Sequence, residues 1–187
     1  IHGFMSDLRV WSYYVFSYMR EIRVITIDLL GHGQSEWFEN TPSTMELQAQ
    51  AVKTILDHLN IKECVMVGHS MGGYVSLAFA EAYPQYIKGL CLLHSHALAD
   101  SNNVKEKREQ TCNIINQNRA SFIINFIPNL FAPANHDKFY YEIKDLQDSA
   151  LDSKADGLIL AQKGIATRTS KIDLLKTINS PVLFIIG

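Results

Sequence analysis

The sequence predicts an α/β protein: a mostly parallel sheet with helices on both faces, into which an all-helical segment is inserted. Three observations carry the prediction. Short apolar, β-branched runs at residues 23–28, 64–67, 87–93 and 181–186 alternate with helical patterns. Runs that are apolar throughout, rather than at every second residue, belong to strands buried on both faces, the condition of a parallel sheet. Residues 101–170, by contrast, hold helical patterns and no good strand.

Each element follows from local chemistry. Arg-Val-Ile-Thr-Ile-Asp at 23–28 reads as a buried strand that ends in the turn Gly31-His32-Gly33. Residues 43–59 read as a helix: Ser43 or Thr44 can cap it, and Leu47, Ala51, Ile55 and Leu59, with Val52 and Leu56, form one apolar face. Cys64-Val-Met-Val67 is the next strand. A tight turn over 68–73 opens a helix from Tyr74 to Tyr83, which Pro84 stops. Residues 87–93 make a third strand. Beyond Asp100 the texture turns polar, and then Ile114, Ile115, Phe122, Ile123, Phe126, Ile127, Leu130 and Phe131 form an apolar helical stretch interrupted by Pro128. A short helix near 171–177 leads into the strand at 181–186. The expected division is a core over 1–100, a helical layer over 101–170, and the core resumed over 171–187.

Composition bounds the function. The chain has 187 residues, 47% hydrophobic and 19% charged, enough apolar material for a sizeable core. Seventeen basic and nineteen acidic residues give a net charge of −2, and no dense basic face tracks a phosphate backbone, so nucleic acid is not an expected partner. No apolar run reaches the ~18 residues of a membrane span, and no signal peptide is visible, so a cytoplasmic protein without membrane attachment is expected. Cys64, Cys91 and Cys112 match neither a zinc site nor a disulfide framework and read as buried thiols in a reducing compartment.

The chemistry concentrates in Gly68-His69-Ser70-Met71-Gly72, a G-x-S-x-G sequence with a strand before it and a helix after it. Side chains at 68 and 72 would collide with the neighbouring strand and helix, and the serine would sit at positive φ with its hydroxyl projecting from the sheet edge. The NH of Met71 would point from the helix start toward a developing oxyanion. His2-Gly3-Phe4 reads as the turn after a strand ending at Ile1, and the NH of Phe4 is the candidate second oxyanion donor. Asp28-Leu-Leu-Gly-His-Gly-Gln-Ser35 is too short in its glycine spacing for a dinucleotide or P-loop motif and reads as a structural turn below the site.

His2-Gly3-Phe4, D-x-x-G-x-G-x-S over 28–35, Gly68-His-Ser-Met-Gly-Gly73, Gly89-Leu-Cys-Leu-Leu93 and residues 181–187, in this order, resemble the α/β-hydrolase superfamily, in particular its small esterases and lactonases with a helical cap. The resemblance spans nearly the whole chain and makes residues 101–170 the cap. It implies acyl transfer to water: Ser70 attacks a carbonyl of a small-molecule acyl substrate, a histidine takes its proton, and Phe4 and Met71 hold the oxyanion, with no metal or organic cofactor. The same scaffold also serves carbon-carbon bond hydrolysis, lactone opening, elimination, or ligand binding without turnover. The dehalogenase variant is disfavoured, because it needs a carboxylate at position 70.

Family members begin with strands before the His-Gly turn and run on from the last strand to a catalytic Asp and His. The expectation is therefore a chain incomplete at both ends, with the acid and the histidine beyond Gly187. Ser70, Asp100 and His136 have the right chain order for an internal triad, but His136 sits in a polar, surface-like stretch. His69 is expected to pack in the elbow, because adjacent side chains on that turn diverge. His94 and His96 leave the end of a strand near the site, where lining a pocket and a structural role are both open. The aromatics Phe122, Phe126, Phe131, Phe139, Tyr140 and Tyr141 fit either a pocket roof or plain core.

Overall fold

The computed structural model describes residues 1–18, 21–37, 41 and 43–186. Its centre is a parallel sheet in the order β1 (Cys64–His69), β2 (Ile87–Leu93), β3 (Val182–Ile185). The register sets His69 beside Leu93 and Leu93 beside Ile185, so all three strands end at one edge. In open α/β sheets that carboxyl edge is where ligands bind.

Helices lie on both sides of this sheet. Helix α1 (Ser12–Tyr18) follows a 3-10 turn at Leu8–Trp11, for which Asp7 is the cap. It was not expected from the sequence: Tyr, Phe, Val and Ser are middling helix formers and show no apolar face at helical spacing. Helix α2 (Met45–His58) is capped by Thr44, not Ser43; the Thr44 hydroxyl accepts from Leu47 N at 3.1 Å. Helix α3 (Met71–Ala82) starts three residues earlier than its apolar pattern, directly out of the Ser70 turn. α2 and α3 bury Val52, Leu56, Val75 and Phe79 in one cluster with Met66, Leu90 and Leu92 of the sheet. The other face of β1 is open at Val65, which is 67% exposed.

One strand is corrected. Residues 23–28 pair with no strand among the described residues, although Ile25 and Ile27 pack against the core. A strand needs a hydrogen-bonded backbone neighbour, which an apolar composition alone does not supply. Ile1 lies along β1, its N donating to Val67 O at 2.6 Å and its O accepting from His69 N at 3.0 Å, but it is not part of a strand. On the far side it is a side chain, His2 Nε2, that accepts from Leu29 N at 2.9 Å.

The helical layer comprises α4 (Asn102–Phe126), α5 (Tyr140–Leu151) and α6 (Ala155–Thr167), with 3-10 turns at Ile127–Leu130 and Pro133–Asn135. Pro128 is the second residue of the first of these turns, where a missing NH is harmless. α4 breaks at Asn118, whose side chain accepts from Ser121 N at 2.9 Å and so caps the segment after the kink. Met5, Ile115, Ile123, Ile127, Ile143, Ala150 and Leu158 form a second cluster. Of the candidate roof aromatics, Phe122 and Phe131 pack against this cluster, whereas Tyr140 and Tyr141 are exposed.

α6 joins the two clusters, giving Leu158 to the second and Ala161 and Ile165 to the first. Its glycines make the approach: a Cβ on Gly157 would lie under 3.0 Å from Gly31 O, and one on Gly164 would lie closer still to Ser43 O. The two glycines lie on one face of the helix, two turns apart. Helix α7 (Ile172–Thr177) then leads into β3. Among the described residues no helix is long and apolar enough to cross a membrane.

Candidate active site

β1 delivers the chain to Ser70 and α3 carries it away. Ser70 has φ 50° and ψ −115°, a strained conformation for a residue with a side chain. The turn is held by Ser70 N donating to Leu93 O at 2.9 Å, by Gly73 N donating to Ser70 O at 2.9 Å, and by the Ser95 hydroxyl donating to the same oxygen at 2.9 Å. Each glycine of the motif is required by close approach. A Cβ on Gly68 would strike Gly72 O, one on Gly72 would strike Ile1 O and His2 O, and one on Gly73 would strike the Ser95 hydroxyl, all under 3.0 Å.

The Gly72 contacts seat the turn over residues 1–4 directly on the elbow. A Cβ on Gly3 would come within 2.9 Å of His69 Nδ1, which closes the same junction from the other side. Met71 is buried at the first position of α3, and Phe4 packs against both apolar clusters. The sequence candidates Ser70, Met71 and Phe4 therefore come together at the carboxyl edge of the sheet.

His2 ties this turn to the next motif. Its Nδ1 donates to Gly3 O at 2.8 Å while Nε2 accepts from Leu29 N, which fixes a neutral ring with the proton on Nδ1. Burial, helped by the adjacent His32, pushes its pKa down to about 3. Burial likewise lowers His32 to about 4; this ring stands 5.2 Å from that of His2, and its Nε2 has no partner. Asp28 closes its own loop by accepting from Gln34 N at 3.0 Å and ties it to the start of the Leu8–Trp11 turn by accepting from Leu8 N at 2.7 Å, and Gly33, at φ 53°, leaves room for the carboxylate. The D-x-x-G-x-G-x-S segment is thus a self-bonded turn under the site.

The remaining candidates separate. Asp100 does not face His136: its carboxylate is paired with Arg108 and Arg168, which hold its pKa below the usual carboxylate range against the opposing effect of burial. The His136 ring is bonded to Phe131 O at 3.2 Å. The internal triad is therefore not assembled. His69 has a buried Nδ1 without a partner, and burial, then His94, lowers its pKa. His94 stands edge-on to His69 at 6.1 Å, and His96 Nε2 lies 3.3 Å from the Tyr74 hydroxyl.

Sequence reading missed Asp7. It is buried, held at both oxygens by Arg9, and accepts from the Ser149 hydroxyl of α5 at 2.6 Å. Burial would raise its pKa, but the bonds from Arg9 and Ser149 outweigh it and bring it to about 2. An Asp just before a helical start was the available signal. A cavity of ≈ 540 Å³ between α4 and α6, lined by Asn102, Arg108, Cys112 and Gln162, does not reach Ser70.

The α/β-hydrolase fold family matches residues 1–133, and the chain belongs to it. The chain is 40% identical over 103 residues to the dihydrolipoyllysine-residue acetyltransferase component of the acetoin cleaving system of Pseudomonas putida, covering 55% of this chain and 28% of that protein. It is 35% identical over 106 residues to lipase LipV of Mycobacterium tuberculosis, covering 57% of this chain and 40% of that lipase. Among solved structures, a thermophilic esterase from Thermogutta terrifontis superposes with a TM-score of 0.92 at 31% identity, over 100% of this chain and 69% of that one. An enol-lactonase from Burkholderia xenovorans, with a TM-score of 0.89 at 22% identity over 100% of this chain and 70% of that one, shows the same fold.

Proposed function

We propose that the protein is a serine hydrolase that cleaves carboxylic esters or related acyl substrates through an acyl-enzyme on Ser70. The observation that carries this reading is the strained Ser70 turn between β1 and α3, with the residue 1–4 turn seated on Gly72. Ser70 attacks the acyl carbon, and the NH groups of Met71 and Phe4 take up the charge on the carbonyl oxygen. We assign the general base to a histidine, as the resemblance to the family implies. The chain's own His2, His96 and His136 are engaged with Gly3 and Leu29, with Tyr74, and with Phe131.

The chain is also 30% identical over 95 residues to epoxide hydrolase 4 of Mus musculus, 26% of that protein's length. Serine chemistry argues for acyl transfer instead. Attack of Ser70 on a carbonyl gives an ester that water can release, whereas attack on an epoxide carbon gives an ether that water cannot. Lactones, being cyclic esters, fall within the same proposal. The free thiols Cys64, Cys91 and Cys112 fit a reducing compartment such as the cytoplasm.

A panel of p-nitrophenyl esters and lactones, run on the protein and on Ser70→Ala, tests the reading. Hydrolysis by the wild type that Ser70→Ala abolishes is the expected result; equal hydrolysis by both would refute it.

A further inference from the structure

The chain leaves the sheet core for the helical layer at residues 94–101 after β2 and returns at residues 168–171 before α7. Backbone ties the two crossings together, Lys171 N donating to Ala97 O at 2.7 Å. Charge ties them again: Arg168 Nη2 stands 2.7 Å from Asp100 Oδ1, with the side chains only 4% and 5% exposed. Arg108 of α4 reaches the other carboxylate oxygen through Nε, and its Nη1 donates to Gln162 of α6 at 3.0 Å. One carboxylate on the first crossing thus gathers one guanidinium from the second crossing and one from the helical layer.

The same network touches the elbow helix. The Arg168 guanidinium lies 4.0 Å from the centre of the Tyr74 ring, and Tyr74 sits one turn after Ser70 on α3. The Tyr74 hydroxyl meets His96 of the first crossing at 3.3 Å. A buried ion pair is a poor source of stability compared with apolar packing, but it demands one geometry, and this one spans both of these crossings.

We propose that Asp100 and Arg168 clamp the two crossings and so set the position of the helical layer over Ser70, with Arg168 a positioning residue that rests on Tyr74 of α3. Groups that reach the helical layer feel the clamp; an acetyl group at Ser70 does not.

Arg168→Gln, Arg168→Lys and the double variant Asp100→Asn with Arg168→Gln test this in two arms. The first is hydrogen exchange and needs no activity. Arg168→Gln should speed exchange of the α4, α6 and Lys171 amides by about tenfold or more while α2 and α3 keep wild-type protection, with Arg168→Lys closer to wild type. Uniform acceleration, no acceleration, or a Lys variant no better than the Gln variant overturns the proposal.

The second arm is kinetic and rests on the hydrolase reading. Arg168→Gln should raise KM for a long-chain ester by about tenfold and leave kcat for the acetate ester within about threefold, and the double variant, which also takes the carboxylate from Arg108, should do no better than Arg168→Gln. Equal losses on both esters overturn the clamp. A wild type that cleaves neither ester sinks the hydrolase reading instead, and the exchange arm alone then decides the clamp.

Discussion

His32→Leu should make the protein more resistant to acid without weakening it near neutrality. His2 and His32 are buried as neutral rings with pKa values of about 3 and about 4, against 6.5 for a free imidazole. Because both folded values are depressed, the stability they contribute is present above the unfolded pKa and is lost as the pH falls. Below about pH 6.5 the unfolded chain takes a proton on each ring and the folded chain on neither, so each histidine removes about 1.4 kcal/mol per pH unit. The loss runs down to about pH 4 for His32 and about pH 3 for His2. By about pH 5 each ring has removed about 2 kcal/mol, roughly 4 kcal/mol together, a large share of a typical domain's stability.

Deleting the His32 ring leaves no new orphan near neutrality. Its Nε2 has no partner already, and Leu30 O, which it meets at 3.3 Å, still accepts from Gln48 Nε2 at 3.0 Å. Stability near pH 7 should therefore stay within about 1 kcal/mol of wild type. Urea unfolding followed by circular dichroism at about pH 7, 6 and 5 gives both numbers. The acid slope should be shallower than wild type by about 1.4 kcal/mol per pH unit. An unchanged slope in the variant, or a wild type equally stable at about pH 7 and about pH 5, would refute the reasoning.

Other substitutions probe the same architecture. Gly164→Ala drives a methyl into Ser43 O and should lower stability by about 1–3 kcal/mol or more, read as a drop in melting temperature; an unchanged melt would mean that α6 is not seated there. Ser70→Gly relieves the strain at φ 50° and should raise the melting temperature, with a gain of about 1 kcal/mol, while ending activity. Thr44→Ala removes the cap on Leu47 N and should cost about 1 kcal/mol in the same melt, whereas Thr44→Ser should cost little.

What was legible in the sequence was what depends on near neighbours. Gly68, Gly72 and Gly73 stand within a few residues of the strain they permit, so the turn at Ser70, the strand before it and the helix after it could be read from residues 64–83. The apolar runs at 87–93 and 181–186 announced β2 and β3 for the same reason. Residues 23–28 look like a strand because composition records burial, whereas strand formation depends on a backbone partner. Gly157 and Gly164 read as weak points of a helix, since the carbonyls they approach, on Gly31 and Ser43, lie more than a hundred residues away in the chain. The pairing of Asp100 with Arg168 and the bond from Ser149 to Asp7 also join residues far apart in the chain, and no local pattern marks them.

The central claim is that Ser70, presented by its strained turn, is the protein's reactive nucleophile. Incubating the folded protein with a fluorophosphonate and locating the adduct by mass spectrometry tests it most directly, since only an activated serine reacts quickly. The account predicts one phosphonylated residue, Ser70, with labelling abolished in Ser70→Ala and slowed in Gly72→Ala, whose methyl would push the residue 1–4 turn off the elbow. A folded protein that carries no adduct on Ser70, or carries it on another serine, would contradict it.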